Sequence, residues 1–451
     1  MNLATSDIIV FLLYFIIVAS YGYWIYLRRK TKEHDSKAFF LAEGSLTWWA
    51  IGASLIASNI SAEQFIGMSG NGYFVGIAVA AYEWIAAVAL IIIAIWFMPV
   101  YLKNKIYTMP QFLKTRYNES VSVIMAVFWL FLYVFVNLTS ILFLGSVAIS
   151  GLVGPEYFHW IMIGLAAFAI VITLGGMKVI GYTDVIQVLV LIIGGLVTVF
   201  IALDKVSGGN GPLSGLTTVI KEAPDHFHMI LSKPDASSSQ EYISKYIMLP
   251  GILMYAAGQW IANLNYWGCN QYITQRALGA DLPTARKGLV FAAFLKILMP
   301  VIVMLPGIAA FVLQKQGAMP ALEKQDDAYS AVLGFLPEGL KGLSVAALTA
   351  AIVASLAGKA NSISTIFTLD IYKKYINKGA DEKKMVTTGR MAVLFAMIIA
   401  ILFTWSDLLG IGGEGVAQGA RRVAGRPHGE QRVVGVRDDE VHHLAGFVGR
   451  A

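Results

Sequence analysis

Long apolar runs separated by short polar stretches repeat along most of the chain. A helix needs about 20 apolar residues to cross the hydrocarbon core of a bilayer. We place such runs at about residues 6–27, 46–71, 73–102, 120–150, 155–175, 179–203, 247–275, 288–313, 340–371 and 386–408. The pattern therefore predicts an all-α, polytopic membrane protein with ten membrane crossings.

The composition supports this interpretation and excludes several classes of protein. Of the 451 residues, 57% are hydrophobic and 14% are charged, whereas soluble domains carry about 25% charged residues. The single cysteine, Cys269, excludes an internal disulfide. The histidines lack metal-ligand spacing within the apolar runs. We therefore expect a lipid bilayer as partner, no nucleic acid, no organic cofactor and no enzymatic activity.

The positions of Lys and Arg predict the orientation. With the N-terminus outside, the inside loops hold 19 of these residues, Arg276 among them, and the outside loops hold 7. Cytoplasmic loops of membrane proteins carry such an excess of positive charge. We therefore expect a multi-pass protein of the inner (plasma) membrane with its N-terminus outside.

Two of the ten segments carry polar residues at their centres. Segment 46–71 contains Ser58, Asn59, Ser61 and Gln64, and segment 247–275 contains Asn263, Asn265, Asn270 and Gln271. In a five-plus-five inverted repeat these segments are the first helix of each half, where transporters often have broken helices. We expect both helices to unwind, which frees carbonyl groups for Na⁺ and helix ends for substrate. The alternative is that these residues only join neighbouring helices by hydrogen bonds.

Four ionisable residues, Glu83, Asp184, Lys296 and Lys359, lie within apolar segments. A charge at the bilayer centre costs about 2.5–3.5 kcal/mol on insertion scales. Glu83 and Lys296 suit hydrogen bonding to a polar, uncharged substrate, or they form a buried pair. Asp184 is either an interfacial residue or part of a second ion or proton route. No role is predicted for Lys359.

Several longer motifs occur in order: ASNISAEQFIGMSGNGY, AYEWIAA, FVNLTS, YTDVIQV, ANLNYWGCNQYITQR, FAAFLK and SLAGKANSISTIFTLDIYKKY. Over about residues 6–410 they resemble the sodium/solute symporter family, in its sugar branch of bacterial sodium/galactose and sodium/glucose cotransporters. The resemblance implies a LeuT-type fold of inverted five-helix repeats, at about 46–203 and from about 247, after one extra N-terminal helix.

The resemblance also implies sodium-coupled symport of a hexose by alternating access, with Na⁺ as the coupling ion. Two alternatives remain open. One is a sodium symporter of the same family for another neutral solute, such as myo-inositol. The other is a sugar sensor that binds without transporting.

The sugar-binding residues carry over from the family one by one. The resemblance assigns sugar binding to Gln64, Glu83, Asn263 and Lys296, an aromatic gate to Tyr266, and flanking positions to Tyr82 and Trp267. Sugar hydroxyls need both donors and acceptors, because a buried polar group without a partner costs about 1–3 kcal/mol. The apolar face of a sugar ring suits an aromatic platform. Ala86 stands where some relatives have a serine.

The resemblance assigns the sodium site as well. Its ligands would come from Ala57, Ile60, Ala351 and Ser355, with Thr365 as an accessory. Hard oxygen ligands from an unwound backbone suit a small cation. Ala354 stands where relatives often have a second serine, so either one hydroxyl ligand is missing or the site relies on Ser355 and carbonyls.

The composition changes abruptly at Ile411. Residues 411–451 contain no Lys, six Arg and three of the seven His, and they hold no apolar run long enough to cross a bilayer. A member of the family would continue here with the fifth helix of the second repeat. We therefore expect the symporter core to end near residue 410 and the tail to be an out-of-frame segment, with a natural tail as the alternative.

We predict that the 451-residue chain is unstable or inactive in transport, because the second repeat lacks its fifth helix. Resequencing the gene around codon 411 and assaying Na⁺-driven uptake by the purified product test this prediction. An in-frame tail together with robust uptake would contradict it.

Overall fold

The computed structural model describes residues 4–28, 35–42, 44–249, 251–322 and 324–405. Within these residues the regular elements are helices. The predicted out-of-frame tail, residues 411–451, lies outside them.

Most of the described residues lie in long helices. In chain order we label the helices α1 (Thr5–Leu27), α2 (Trp48–Asn59), α3 (Ala62–Phe74), α4 (Ile77–Lys103), α5 (Glu119–Gly151), α6 (Pro155–Leu174), α7 (Met177–Val206), α8 (Gln259–Cys269), α9 (Gln271–Leu278), α10 (Leu282–Lys315), α11 (Leu340–Ile376) and α12 (Glu382–Trp405). Short helices join them at Ser36–Leu41, Met109–Arg116, Pro212–Glu222 and Ala328–Leu333.

The ten predicted crossings are all present as helical segments. Among the described residues, nine helices are long and apolar enough to cross a bilayer, and one of them, Gln240–Cys269, ends with α8. The remaining predicted segment, 46–71, forms the two shorter helices α2 and α3. The all-α membrane fold is therefore confirmed. The division into repeats at 46–203 and from 247 stays a prediction, with four helices of the second repeat inside the described residues.

Helix α11 is the most enclosed of the spans. Of its most apolar stretch, 83% is buried inside the protein. It packs against α1, α2, α6, α7 and α12. Its sequence VAALTAAIVASLAG is rich in small residues, which allow membrane helices to approach closely. The small side chains thus explain how α11 contacts so many neighbours.

An aspartate of α1 caps the beginning of α11. Asp7 is fully buried, and its Oδ1 accepts hydrogen bonds from the amides of Gly339 at 2.7 Å and Gly342 at 2.8 Å. The first amides of a helix have no partner within the helix, and a negative charge there is favourable. The extra N-terminal helix is therefore fixed to the start of the central helix.

The backbones of helices α3 and α10 are in direct contact at Gly307. A Cβ atom built on Gly307 of α10 would lie 1.8 Å from the carbonyl oxygen of Ser69 in α3. No side chain fits there without a shift of one helix. The contact matters for function because α3 follows the break in the second predicted segment.

We predict that Gly307→Ala lowers the thermal unfolding midpoint of the detergent-solubilised protein by several degrees, because overpacking costs about 1–3 kcal/mol. Gly164→Ala is the matched control, since the space around a Cβ at Gly164 in α6 is open. The control should unfold at the wild-type temperature or slightly above it, because Ala favours helix over Gly. Equal midpoints for the two variants would contradict the close contact.

Candidate functional site

Both predicted helix interruptions are present. Helix α2 ends at Asn59, and Ile60 (φ −79°, ψ 118°) and Ser61 have extended backbone before α3 begins. Helix α8 ends at Cys269, and the extended residue Asn270 (φ −88°, ψ 124°) separates it from α9. The prediction of two unwound segments is confirmed. The last-turn carbonyls of α2 and α8 consequently lack the full set of helical partners.

Each break lies beside an asparagine that contacts a tyrosine. Asn59 donates a hydrogen bond from Nδ2 to the hydroxyl of Tyr266 at 2.9 Å. Asn270 accepts one at Oδ1 from the hydroxyl of Tyr133 on α5. Tyr266 belongs to α8, so the first contact links the end of α2 to the other broken segment. The second links the break residue Asn270 to α5.

Three residues of the predicted sugar site form one polar cluster. Glu83 on α4 is 3% exposed and accepts hydrogen bonds from the ammonium group of Lys296 and from the amide of Gln64. Lys296 on α10 is 1% exposed, and Gln64 on α3 is half-buried. The sequence left open a buried Glu83–Lys296 pair, and the structure contains this pair. The cluster presents amide, ammonium and carboxylate groups next to the α2–α3 break.

The predicted aromatic residues lie beside this cluster. The Lys296 Nζ atom is 5.3 Å from the ring centre of Trp267, and the rings of Tyr266 and Trp267 meet edge to face at 5.2 Å. Trp267 is buried, whereas Tyr266 is half-buried. The hydroxyl of Tyr266 also accepts a hydrogen bond from Tyr272 of α9. Tyr266 therefore contacts both sides of the α8–α9 break.

The remaining predicted sugar ligands are less closely connected. Asn263 is buried and donates to the backbone carbonyl of Gln259 in its own helix at 3.0 Å. Tyr82 precedes Glu83 and is half-buried. Sequence reasoning missed Gln259, whose fully buried amide has no hydrogen-bond partner among the described residues. Its position four residues before Asn263, on the same face of α8, is the signal that could have found it.

Helix α11 reaches the α2 break at the predicted sodium site. The hydroxyl of Ser355 donates to the carbonyl of Ser58 at 2.8 Å. Ala57, Ile60 and Ala351 are each at most 1% exposed. The last turn of α2, where carbonyls lose their helical partners, is thus next to a hydroxyl group of α11. Oxygen atoms of this kind are suitable ligands for a hard monovalent cation.

The accessory residue Thr365 lies elsewhere. It is ten residues beyond Ser355 in one helix, a separation of about 15 Å along the axis. Its hydroxyl accepts a hydrogen bond from Gln275 at 2.6 Å and donates one to the carbonyl of Asn361 at 2.8 Å. Thr365 is therefore not among the groups at the α2 break, and its accessory role stays a prediction.

A buried arginine is the main residue that sequence reasoning missed. Arg276 of α9 is 1% exposed, although its position predicted an inside loop. It donates hydrogen bonds to the hydroxyl groups of Ser54, at 2.7 Å, and Ser58 of α2, and to the carbonyl of Tyr272. Its Nη2 atom is 3.7 Å from Oδ2 of Asp184 on α7. Arg276 thus joins the two broken segments to each other.

Asp184 is consequently buried among the helices. It is 1% exposed, and Ser54 donates a hydrogen bond to its Oδ2 atom. Its Oδ1 atom has no hydrogen-bond partner in the part of the chain that the structure describes. The carboxylate retains one oxygen that can accept a further donor or cation.

Comparisons with known proteins agree with this geometry. The profile described as "Sodium:solute symporter family" matches residues 39–408. A sodium/glucose cotransporter of Vibrio parahaemolyticus is 46% identical over 415 residues, which cover 89% of this chain and 75% of that protein. The sodium/myo-inositol cotransporter 2 of Oryctolagus cuniculus is 32% identical over 419 residues. The match covers 89% of this chain but 61% of the rabbit protein.

A solved structure has the same fold. It is described as the substrate-bound outward-open state of a Na⁺-coupled sialic acid symporter. It superposes with a TM-score of 0.78 and covers 90% of this chain and 83% of that chain. At 21% sequence identity, this likeness concerns the fold alone.

We predict that Arg276→Met lowers the free energy of unfolding by about 3–5 kcal/mol, because it leaves Asp184 buried without its cation. The double variant Arg276→Met/Asp184→Asn should recover most of that loss. Lys114→Met is the control, since its pair with Glu119 is exposed and such pairs contribute about 0–1 kcal/mol. Tryptophan fluorescence during denaturation measures all three, and a double variant less stable than Arg276→Met would contradict the buried pair.

Proposed function

Since the chain belongs to the sodium:solute symporter family, we propose that it is a symporter that carries a hexose of the galactose or glucose kind together with Na⁺. The cluster of Gln64, Glu83 and Lys296 beside Tyr266 and Trp267 carries this proposal. It combines hydrogen-bond donors and acceptors with aromatic faces. Sugar hydroxyls and the apolar face of a pyranose ring require this combination.

The charges of the cluster favour a neutral substrate. Glu83 and Lys296 neutralise each other, so neither leaves an excess charge for a carboxylate or an amine to match. We propose that sugar hydroxyls enter by exchanging hydrogen bonds with this pair and with Gln64 and Asn263. Tyr266 then covers the ring, with Tyr82 and Trp267 beside it.

Sodium binding is proposed at the junction of α2 and α11. The carbonyls of Ala57, Ile60 and Ala351 and the hydroxyl of Ser355 would hold the ion, with Asp184 on a second ion or proton route. The Ser355–Ser58 contact supports this arrangement, because it brings a hydroxyl group of α11 to the last turn of α2. An ion there binds only while both helices stay in place, so Na⁺ favours the conformation that has the sugar site formed.

We propose that the protein lies in the inner membrane with its N-terminus outside. There, the membrane potential and the sodium gradient would together drive sugar uptake. One charge that moves inward through 100 mV releases about 2.3 kcal/mol. A tenfold sodium gradient adds about 1.4 kcal/mol. Together they sustain roughly a few-hundred-fold sugar gradient per Na⁺.

The two alternative functions, symport of another neutral solute and sugar sensing, would give different results in an uptake assay with a panel of solutes. A symporter for myo-inositol or another neutral solute would retain Na⁺ dependence but select a different member of a substrate panel. A sensor would bind sugar and show no uptake. The neutral Glu83–Lys296 pair suits all of these uncharged solutes, so the panel decides among them.

We predict that proteoliposomes take up labelled galactose or glucose in Na⁺ buffer and not in choline buffer, because Na⁺ stabilises the binding-competent state. Gln64→Ala, Glu83→Ala and Lys296→Ala should each remove most uptake, and Ser355→Ala should shift the Na⁺ titration more than the sugar preference. Lys114→Met on the surface is the control and should transport normally. Equal sugar binding in Na⁺ and choline would refute the coupling, and normal uptake by all three site variants would refute the sugar site.

A further inference from the structure

Lys359 has no part in the proposed sugar or sodium site, yet it is buried in the helix that carries Ser355. It is on α11 and is 6% exposed. Its Nζ atom is 4.3 Å from the ring centre of Tyr272. This distance is well within the range of a cation–π contact, which is strengthened where water is excluded. The lysine thus holds a specific aromatic ring of α9.

Tyr272 connects Lys359 to α8, on the other side of the α8–α9 break. Its hydroxyl donates to the hydroxyl of Tyr266, which also accepts a hydrogen bond from Asn59 at 2.9 Å. Arg276 fixes the backbone of Tyr272 by donating to its carbonyl. A continuous series of contacts therefore runs from Lys359 through Tyr272 to Tyr266.

The same lysine is close in sequence to the proposed sodium ligand on α11. Ser355 and Lys359 are four residues apart in a continuous helix, so they share one face. Gly358, between them, lies against the hydroxyl of Ser58 and the guanidinium of Arg276. Any movement of α11 toward or away from the α2 break therefore also moves the lysine that holds Tyr272.

We propose that Lys359 is a positioning residue for the aromatic gate: through Tyr272 it fixes the position of Tyr266, and it links that position to the helix that carries Ser355. The positioning role follows from the contacts alone, whereas its meaning for sugar binding rests on the proposed function. Arginine retains the positive charge and can make the same cation–π contact. Methionine fills similar space without the charge.

Cys269 provides a reporter that needs no sugar. It is the single cysteine of the chain, it is partly buried, and it directly precedes the break residue Asn270. The rate at which N-ethylmaleimide alkylates it therefore reports how tightly the α8–α9 break is held. Mass spectrometry of the purified full-length protein in Na⁺ buffer measures this rate.

We expect Lys359→Met to accelerate alkylation at least fivefold and Lys359→Arg to stay within twofold of wild type. Tyr272→Phe removes the hydroxyl that reaches Tyr266 and should accelerate alkylation as Lys359→Met does. The double variant should match either single variant, since both changes interrupt the same series of contacts. Thr349→Val is the control, because that buried hydroxyl of α11 donates within its own helix to Val345 at 2.8 Å.

A wild-type alkylation rate in either Lys359→Met or Tyr272→Phe would overturn the proposal. Multiplied effects in the double variant would also overturn it. If Lys359→Met does not fold, Tyr272→Phe tests the same series alone. Labelled-galactose binding separates the two proposals: wild-type protein that binds no hexose refutes the proposed function, while the alkylation pattern still decides the role of Lys359.

Discussion

A backbone that leaves its helix inside a bilayer must find hydrogen-bond partners within the protein, because hydrocarbon offers none. The two breaks impose this constraint on the surrounding helices. At the first break, Ser355 of α11 donates to the carbonyl of Ser58. At the second, the hydroxyl of Tyr101 donates to the carbonyl of Gly268, in the last turn of α8, at 2.8 Å. The need for hydrogen-bond partners at the first break explains why a polar residue, Ser355, lies within the alanine-rich α11.

Charge within the membrane is subject to a related constraint. Within the described part of the chain, the buried ion pairs Glu83–Lys296 and Asp184–Arg276 each join elements that are distant in the sequence. A single member of either pair would be an isolated charge in a region of low dielectric constant, so the partners stay together. Both pairs also touch a broken helix, through Gln64 in one case and through Ser54 and Ser58 in the other. Helix position and charge neutrality are therefore coupled at the α2–α3 break.

The sequence predicted those features that depend on local pattern. Apolar runs identified the ten segments, and polar residues such as Asn59 and Asn270 within two of them identified the breaks. Arg276 was missed because the polar residues that follow it resemble a loop, and its burial depends on Asp184, 92 positions earlier. The role of Lys359 was equally inaccessible, since a cation–π contact with Tyr272 requires the relative placement of α9 and α11. Contacts between distant segments decide these assignments.

The capping of α11 by Asp7 has a consequence for measuring motion. Two short hydrogen bonds join the peripheral helix α1 to the first turn of the most enclosed helix. We therefore expect a change in the tilt of α11 to move α1, many of whose side chains are exposed, such as Ile16 and Tyr23. A spectroscopic probe attached to the outer face of α1 would follow the central helix without disturbing its packing. A label on the exposed helix α1 can thus report a movement of the buried helix α11.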